Sequence, residues 1–504
     1  MNPRSFTYHD LVCRNASLHA DRTAFVLGDE RCTHAEYAQR VQRLASGLAR
    51  QGIGTGDRIA ALLANGMEFV DLLGAAARLG ATVVPINARL SADEVDHVMR
   101  DTGPRMIIVS PEFDALLPSP LPGGCVAYTA GEKDDERESM HSLYEADRAA
   151  PIADIDDDAA FLVIHTAAVG GRARGAVLSH SSLLAASLYT GGAWRLTPSD
   201  VHVGVLPLFH LAGIGLLLAV QHAGGATALV RGFDPDALVD EILRTSGSVL
   251  GSFPPMLAAL TDACVTRGES LASLRIVTGI DAPETIERFQ RCCRNAKFWA
   301  GYGQTETSGI VSMAPFDERP GSAGRPIPLN AIAILDDEGQ ALPAGEEGEI
   351  ALRGPMVFSG YWGVPEAEQV SFRADWHHTG DLGRLDSDGF LWYAGRSPAK
   401  ELIKPGGENV YPAEVERCLR EHPDIAEAVV FGVPDEQWGE AVMAVCVARE
   451  ASTPLVNDVS EFVASRIARY KRPKRIVFVD SLPRTSAQAI DRAAVKAAHA
   501  VDRS

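Results

Sequence analysis

The apolar and polar positions of this chain alternate between two periods. Beyond Thr33, the apolar residues Tyr37, Val41, Leu44 and Leu48 recur at helical spacing until Gly52, and Thr33 is placed to cap the helix. A run with the texture of a buried strand follows at 58–64, then a helical stretch at 66–80 and the strand-like VVPIN at 83–87. The alternation returns at 161–164, 201–206 and 226–230. Strands alternating with helices predict α/β layers built on largely parallel sheets. From about residue 345 the texture changes: GEIALRG and DLGRLDSDGFLWYAGR read as short strands joined by tight turns, as in hairpins. A polar segment punctuated by proline and glycine separates Arg396 from Gly407, and a compact α+β pattern follows, with a basic YKRPK at 470–474. The domain boundary is expected near residue 396.

Length and charge narrow the picture. A chain of 504 residues is too long for one typical core, so at least two packed units are expected. Its 46% hydrophobic and 22% charged residues are ordinary for a globular protein. The formal charge of −19 argues against a nucleic-acid or anionic-membrane partner, both of which favour concentrated Lys and Arg. Any bound phosphate must therefore be held locally. The longest apolar run, 211–220, is about half a membrane span and contains two glycines, so no membrane span is expected. The opening residues lack the apolar run of a signal peptide, and the eight cysteines form no CxxC pair. Reduced thiols and a cytoplasmic location are expected. Searches for a Walker loop, HExxH and GxSxG are empty, and metal-ligand candidates reduce to single carboxylates, so a structural metal is not expected.

Several segments, taken together, carry a resemblance: LPLFH (206–210), GYGQTET (301–307), GEIALRGPMVFSGYW (348–362), HTGDLGRLDSDGFLWYAGR (378–396), GGENVYPAEVE (406–416), GVPDEQWGE (432–440) and YKRPK (470–474). In this order and spacing they resemble the adenylate-forming acyl-CoA ligases. The resemblance implies an N-terminal domain of two α/β sheets plus a small β-barrel (1–395), a hinge (396–401) and a mobile α+β C-terminal lid (402–504). In such enzymes the lid rotates between a conformation that activates a carboxylate with ATP and one that admits CoA.

The same resemblance distributes roles over residues. Tyr302, between Gly301 and Gly303, matches the aromatic residue that stacks on adenine, a contact suited to any base plane. Thr305 matches the hydroxyl at the α-phosphate and Glu306 the carboxylate that holds Mg²⁺. Asp381 matches the acceptor of both ribose hydroxyls, for which an acceptor-only group suits two donors. Arg396 matches the hinge arginine that also reaches the ribose. Gly279, Ile280 and Asp281 stand where the family has its loop beside adenine. His210 matches a histidine near the reacting carboxylate and the CoA tunnel, and Gly407 lies in the tunnel segment 404–410. The apolar run after His210 would line a pocket for a lipophilic acid, although core packing accounts for the same run.

Other family positions have lost their chemistry. The phosphate loop, approximately T-S-G-T-T-G-x-P-K-G in the family, is here Thr166, Ala167, Ala168, Val169, Gly170, Gly171, Arg172, Ala173, Arg174 and Gly175. Such loops work through close backbone N–H groups and Ser or Thr hydroxyls, and only the Thr166 hydroxyl remains. Arg172 and Arg174 can still attract phosphate by charge. Near the C-terminus the family lysine that reaches the adenylating centre is replaced by Ala489, preceded by Gln488. Removing a transition-state donor of that kind costs roughly 3 kcal/mol or more. An engineered substitution would account for Ala489 but not for Gln488 and the stripped loop. The hinge is two residues longer than usual, with Glu401 as its pivot acid.

These losses all fall on adenylation. The expected reaction is therefore transfer of the acyl group of a preformed acyl-adenylate to CoA, releasing AMP, with a separate adenylating ligase as functional partner. The chain resembles the non-adenylating ligases of split natural-product pathways, such as the platensimycin and platencin route, which implies a lipophilic and even diterpenoid acid. CoA and acyl-AMP are the expected substrates. ATP is not, and Mg²⁺ at Glu306 is tied to ATP. Two alternatives stand: a complete ATP-dependent acid–CoA ligase with a degenerate loop, and a silent adenylate-binding regulatory or scaffold protein.

Overall fold

The computed structural model describes residues 5–133, 137–145, 150–166, 173–363, 365, 371–396, 401–435, 437–449, 452, 454–484 and 490–500. The Thr33 expectation is met: a helix spans His34–Arg50, with the Thr33 hydroxyl and the Glu36 carboxylate capping each other's backbone N–H groups. Tyr37, Val41, Leu44 and Leu48 are its buried face. That face packs on the helix Met67–Leu79, where a Cβ on Gly74 would stand only 2.3 Å from a Val41 methyl. The Tyr37 hydroxyl donates to the Val70 carbonyl at 2.7 Å, which satisfies its polar end inside the core.

Among the described residues the chain builds four sheets. A nine-stranded sheet has a parallel centre of Thr23–Leu27, Ala226–Leu229, Val201–Gly204, Val249–Ser252, Ile276–Gly279 and Lys297–Gln304. A seven-stranded sheet is parallel except for its last strand, Arg174–Ser179, which runs antiparallel to Ala160–Thr166. The hairpin texture after residue 345 becomes a five-stranded antiparallel sheet that includes Gly348–Arg353, Trp376–Leu385 and Leu391–Arg396. These three sheets belong to the large N-terminal domain. The small C-terminal domain holds the fourth, made of Ile425–Asp435, Gly439–Ala448 and Arg475–Phe478, and it has its own core around Ile403, Val415, Leu419, Val430 and Val442. No helix among the described residues is long and apolar enough to cross a membrane.

The two domains are joined by charge. Lys471 bonds both Glu414 of its own domain, at 2.8 Å, and Glu94 on the helix Ala92–Thr102 of the large domain. The Ala468 N–H donates to the same Glu94 at 3.0 Å. Burial works against the Lys471 ammonium, but the two carboxylates outweigh it and raise its pKa.

Candidate active site

A cavity of about 460 Å³ opens where the ends of the sheets meet the C-terminal domain. One wall is the strand Lys297–Gln304 and the turn that follows it. Gly303 is needed there, because a Cβ would stand 2.0 Å from the Gly309 carbonyl oxygen across the hairpin. Asp381 and Arg396 are register partners in adjacent antiparallel strands. The Asp381 carboxylate accepts from the Tyr302 hydroxyl and from the Gln304 amide, each at 2.7 Å. Its other oxygen lies 3.0 Å from Arg396 Nε, yet the N–H is not aligned with it, so both atoms lack a hydrogen bond. Burial opposes the Arg396 charge, but Asp381 together with Tyr411, Tyr393 and Tyr302 outweighs it and the guanidinium pKa rises. Burial, followed by the Asp381 charge, pushes the Tyr302 hydroxyl well above its ordinary value.

The cavity reaches Gly301, Gly303, Gln304, Thr305, Thr379 and Arg396, whereas Tyr302 and Asp381 form the layer behind them. The Tyr302 ring lies against Tyr393 at 6.2 Å with nearly parallel planes. Gly279 and Ile280 also line the cavity. Gly279 must be glycine: its φ is +148° and a Cβ would stand 1.7 Å from the Ser252 carbonyl oxygen. Asp281 does not reach the cavity; its carboxylate turns back to accept from the Ala282 N–H at 2.9 Å. Its place in the adenine loop is therefore a backbone position, with its carboxylate directed elsewhere.

Glu306 is buried at the polar end, accepting from the Thr166 hydroxyl at 2.7 Å and from the Tyr361 hydroxyl at 2.9 Å. Burial, then the Glu306 charge, raises the Tyr361 pKa. Thr166 faces Arg174 across the antiparallel pair. Ala167, Ala168, Val169, Gly170, Gly171 and Arg172 lie outside the described residues. Among the described residues Glu306 belongs to no group of three or more potential metal ligands. A lone carboxylate fits Mg²⁺ only together with substrate phosphates and water, as that ion commonly binds.

At the mouth of the cavity stands His210, just ahead of the helix Leu211–His222. Its Nε2 is 3.2 Å from Glu408, and the same carboxylate meets Arg89 at 2.6 Å and Asn87 at 3.1 Å. Burial alone would raise the Glu408 pKa, but His210, Arg89 and Asn87 outweigh it and hold the carboxyl at about 2. Because the folded value lies below the ordinary 4.5, the contribution is complete above 4.5 and is lost as pH falls toward about 2. Hydrogen-exchange protection of residues 404–411 is accordingly expected to persist at pH 4.5 and to fade toward pH 2, and Glu408→Gln is expected to abolish that dependence. Loss of protection already at pH 4.5 in the unsubstituted protein would refute this account of the contact.

Lys404, Gly406 and Gly407 continue the same wall. Burial, followed by repulsion from Arg396, lowers the Lys404 pKa. Gly407 has φ +86°, and a Cβ would stand 3.3 Å from the Phe253 ring. Gly407→Val is expected to raise KM for CoA at least about tenfold and to change adenylate affinity less than about twofold, since it fills the gap beside Phe253. Equal losses for both ligands in steady-state kinetics and calorimetry would show that this gap is not the CoA path.

Glu401 faces the helix Arg492–His499, 2.9 Å from Arg492 and 3.5 Å from Lys496. Gln488 and Ala489 lie outside the described residues. Their flanks, Arg484 and Ile490, bridge each other, and Arg484 pairs with Glu427 of the same domain. Neither flank lines the cavity. The inner end of the cavity is apolar, formed by Leu183, Ala186, Trp194, Leu211, Leu216 and Met256.

Residues 12–362 match the model of the AMP-binding enzyme family and 414–488 that of the AMP-binding enzyme C-terminal domain. A feruloyl-CoA synthase from Amycolatopsis sp is 33% identical over 96% of this chain and 97% of its own length. An indoleacetate–CoA ligase from Aromatoleum aromaticum is 34% identical, covering 94% of each chain. In structure, a double mutant of the o-succinylbenzoate CoA synthetase of Bacillus subtilis with its product analogue superposes with a TM-score of 0.85 at 27% identity, covering 97% of this chain and 98% of that one. The same enzyme with its acyl-adenylate intermediate gives 0.71 at 28% identity, covering 96% and 97%. The chain belongs to the AMP-binding, adenylate-forming enzyme family. Within that family it is an acyl-CoA ligase.

Several site residues escaped the sequence reading. Gln304 sat unnoticed inside GYGQTET, although an amide beside a buried carboxylate is a natural donor. Glu408 lies inside GGENVYPAEVE, and its partners Asn87, Arg89 and His210 stand 321, 319 and 198 positions away, beyond any local pattern. Tyr361 meets Glu306 from 55 positions away, a pairing with no local signature.

Proposed function

We propose that this acyl-CoA ligase transfers the acyl group of a preformed acyl-adenylate to CoA, the adenylate being supplied by a separate adenylating ligase. The observation that carries the proposal is that Thr166, the only hydroxyl left in the phosphate loop, is engaged by Glu306 at 2.7 Å. The loop therefore has no other side-chain hydroxyl with which to grip a triphosphate. The tunnel segment 404–409 faces the cavity, which is the arrangement that admits a thiol.

In the proposed step the CoA sulfur bonds to the acyl carbon, the bond from that carbon to the phosphate oxygen breaks, and AMP leaves. His210, oriented by ionised Glu408, accepts the thiol proton. Asp381, behind the cavity wall, and Arg396, which lines it, are the residues assigned to the ribose hydroxyls, one as acceptor and one as donor. The domain limits that serve this scheme are 1–395, a hinge at 396–401 ending in Glu401, and a lid at 402–504. The apolar inner end favours a lipophilic acid, of which a diterpenoid acid is one example.

A second reading, a complete ATP-dependent ligase, rests on the curated relatives, which carry the names of CoA synthases and ligases over nearly the whole chain. Incubation of the purified protein with CoA and either acyl-adenylate or free acid plus ATP and Mg²⁺ separates the two. Thioester from the adenylate alone is expected. Comparable rates from both would establish the complete ligase, and product from neither would leave an adenylate-binding protein without catalysis.

A further inference from the structure

The sequence shows no CxxC pair, yet the fold gathers three cysteines that are far apart or merely adjacent in the chain. Cys264 lies on the helix Met256–Arg267, Cys292 ends the helix Pro283–Cys292, and Cys293 follows it. Their sulfur atoms all lie within 4.8 Å of one another. Cys264 and Cys293 are fully buried and Cys292 is half-buried, so the cluster has a closed floor and one thiol toward the surface. All three are free cysteines.

We propose that Cys264, Cys292 and Cys293 form a three-sulfur site for a soft, thiophilic metal ion, monovalent copper being the best fit. A thiolate-bound ion sits about 2.3 Å from each sulfur, which in a planar trigonal site puts the sulfurs about 4.0 Å apart. The cluster therefore needs only side-chain adjustment to close on an ion. No His, Asp or Glu among the described residues joins the group as a fourth ligand, which disfavours tetrahedral zinc and suits an ion content with three thiolates.

The Cys292 Sγ donates to the Glu269 carbonyl at 3.8 Å. Arg267 and Arg288 stand on the same two helices as Cys264 and Cys292. Both arginines are anchored, Arg267 by Asp240 and Arg288 by Asp262. The site lies in the core packed by Leu257, Leu260 and Phe289, separate from the catalytic cavity.

The test is anaerobic titration of the reduced full-length protein with monovalent copper against a chromogenic copper chelator, with X-ray absorption of the product. A single ion per chain with three sulfur neighbours at about 2.3 Å is expected. Cys292→Ser, at the half-buried position, is expected to weaken binding at least about tenfold with an unchanged unfolding midpoint. Cys264→Ala gives a second readout at the buried floor, with two sulfur neighbours in place of three. Binding unaffected by either substitution, or two-sulfur coordination in the unsubstituted protein, would overturn the proposal. So would a mass two hydrogens lighter for the protein purified without reductant, with Cys264 joined to Cys293 in one peptide, since the cluster would then be a disulfide pair.

Discussion

Ala489→Lys alone is expected to raise ATP-dependent thioester formation by less than about tenfold, although one transition-state cation is worth roughly a hundredfold in a competent site. The reason lies at the other end of the triphosphate. A lysine can stabilise charge at the α-phosphate only when the β- and γ-phosphates are held, and the loop that would hold them keeps the single hydroxyl of Thr166. That hydroxyl already donates to Glu306. The quintuple variant Ala167→Ser, Ala168→Gly, Val169→Thr, Gly170→Thr with Ala489→Lys is expected to gain at least about a hundredfold, because it restores cradle and cation together. Pyrophosphate release from ATP and a carboxylic acid measures both variants, and thioester formation from synthetic adenylate serves as a control that should hardly move. A gain of about a hundredfold from the lysine alone would mean that Arg172, Arg174 and backbone amides already grip the triphosphate.

Asp381→Ala carries the second large effect. The substitution strips a buried anion from Arg396, and it leaves the Tyr302 hydroxyl and the Gln304 amide without the oxygen they share. Removing one partner of such a pair costs about 3–5 kcal/mol of stability, because the remaining charge is left buried and uncompensated. Urea unfolding should show that loss, and titration calorimetry should show AMP binding weakened by at least about a hundredfold, since the ribose acceptor goes with it. Asp381→Asn keeps the Tyr302 contact and the volume, so a smaller stability loss is expected with nearly the same loss of AMP affinity. If Asp381→Ala bound AMP normally, the ribose role given to this residue would be wrong.

Much of this was legible in the chain. Thr33, Glu36 and the apolar spacing from Tyr37 to Leu48 specify a capped, one-sided helix, because hydrogen bonding and burial at those positions are local. The strands near 58, 83, 161, 201 and 226 appear within a few residues of their expected places. Asp381 and Arg396 were singled out from motif context, and the structure makes them register partners in adjacent strands. Other features were beyond the reach of periodicity. Cys264 is separated from Cys292 and Cys293 by a whole strand and helix, so their convergence has no local signature. The expectation that metal candidates reduce to single carboxylates failed at that cluster.

By itself the sequence determined the layered α/β class, the order of motifs, the acyl-CoA ligase family and the positions where hydroxyls and a lysine are missing. Those properties depend on residue identity and short-range spacing. Tertiary structure alone decided that Glu408 closes on His210 and Arg89, that Thr166 is engaged by Glu306, and that Asp281 turns away from the cavity. Each of these depends on which distant backbone is brought within about 3 Å of a side chain, the range at which a hydrogen bond forms and beyond which it is lost.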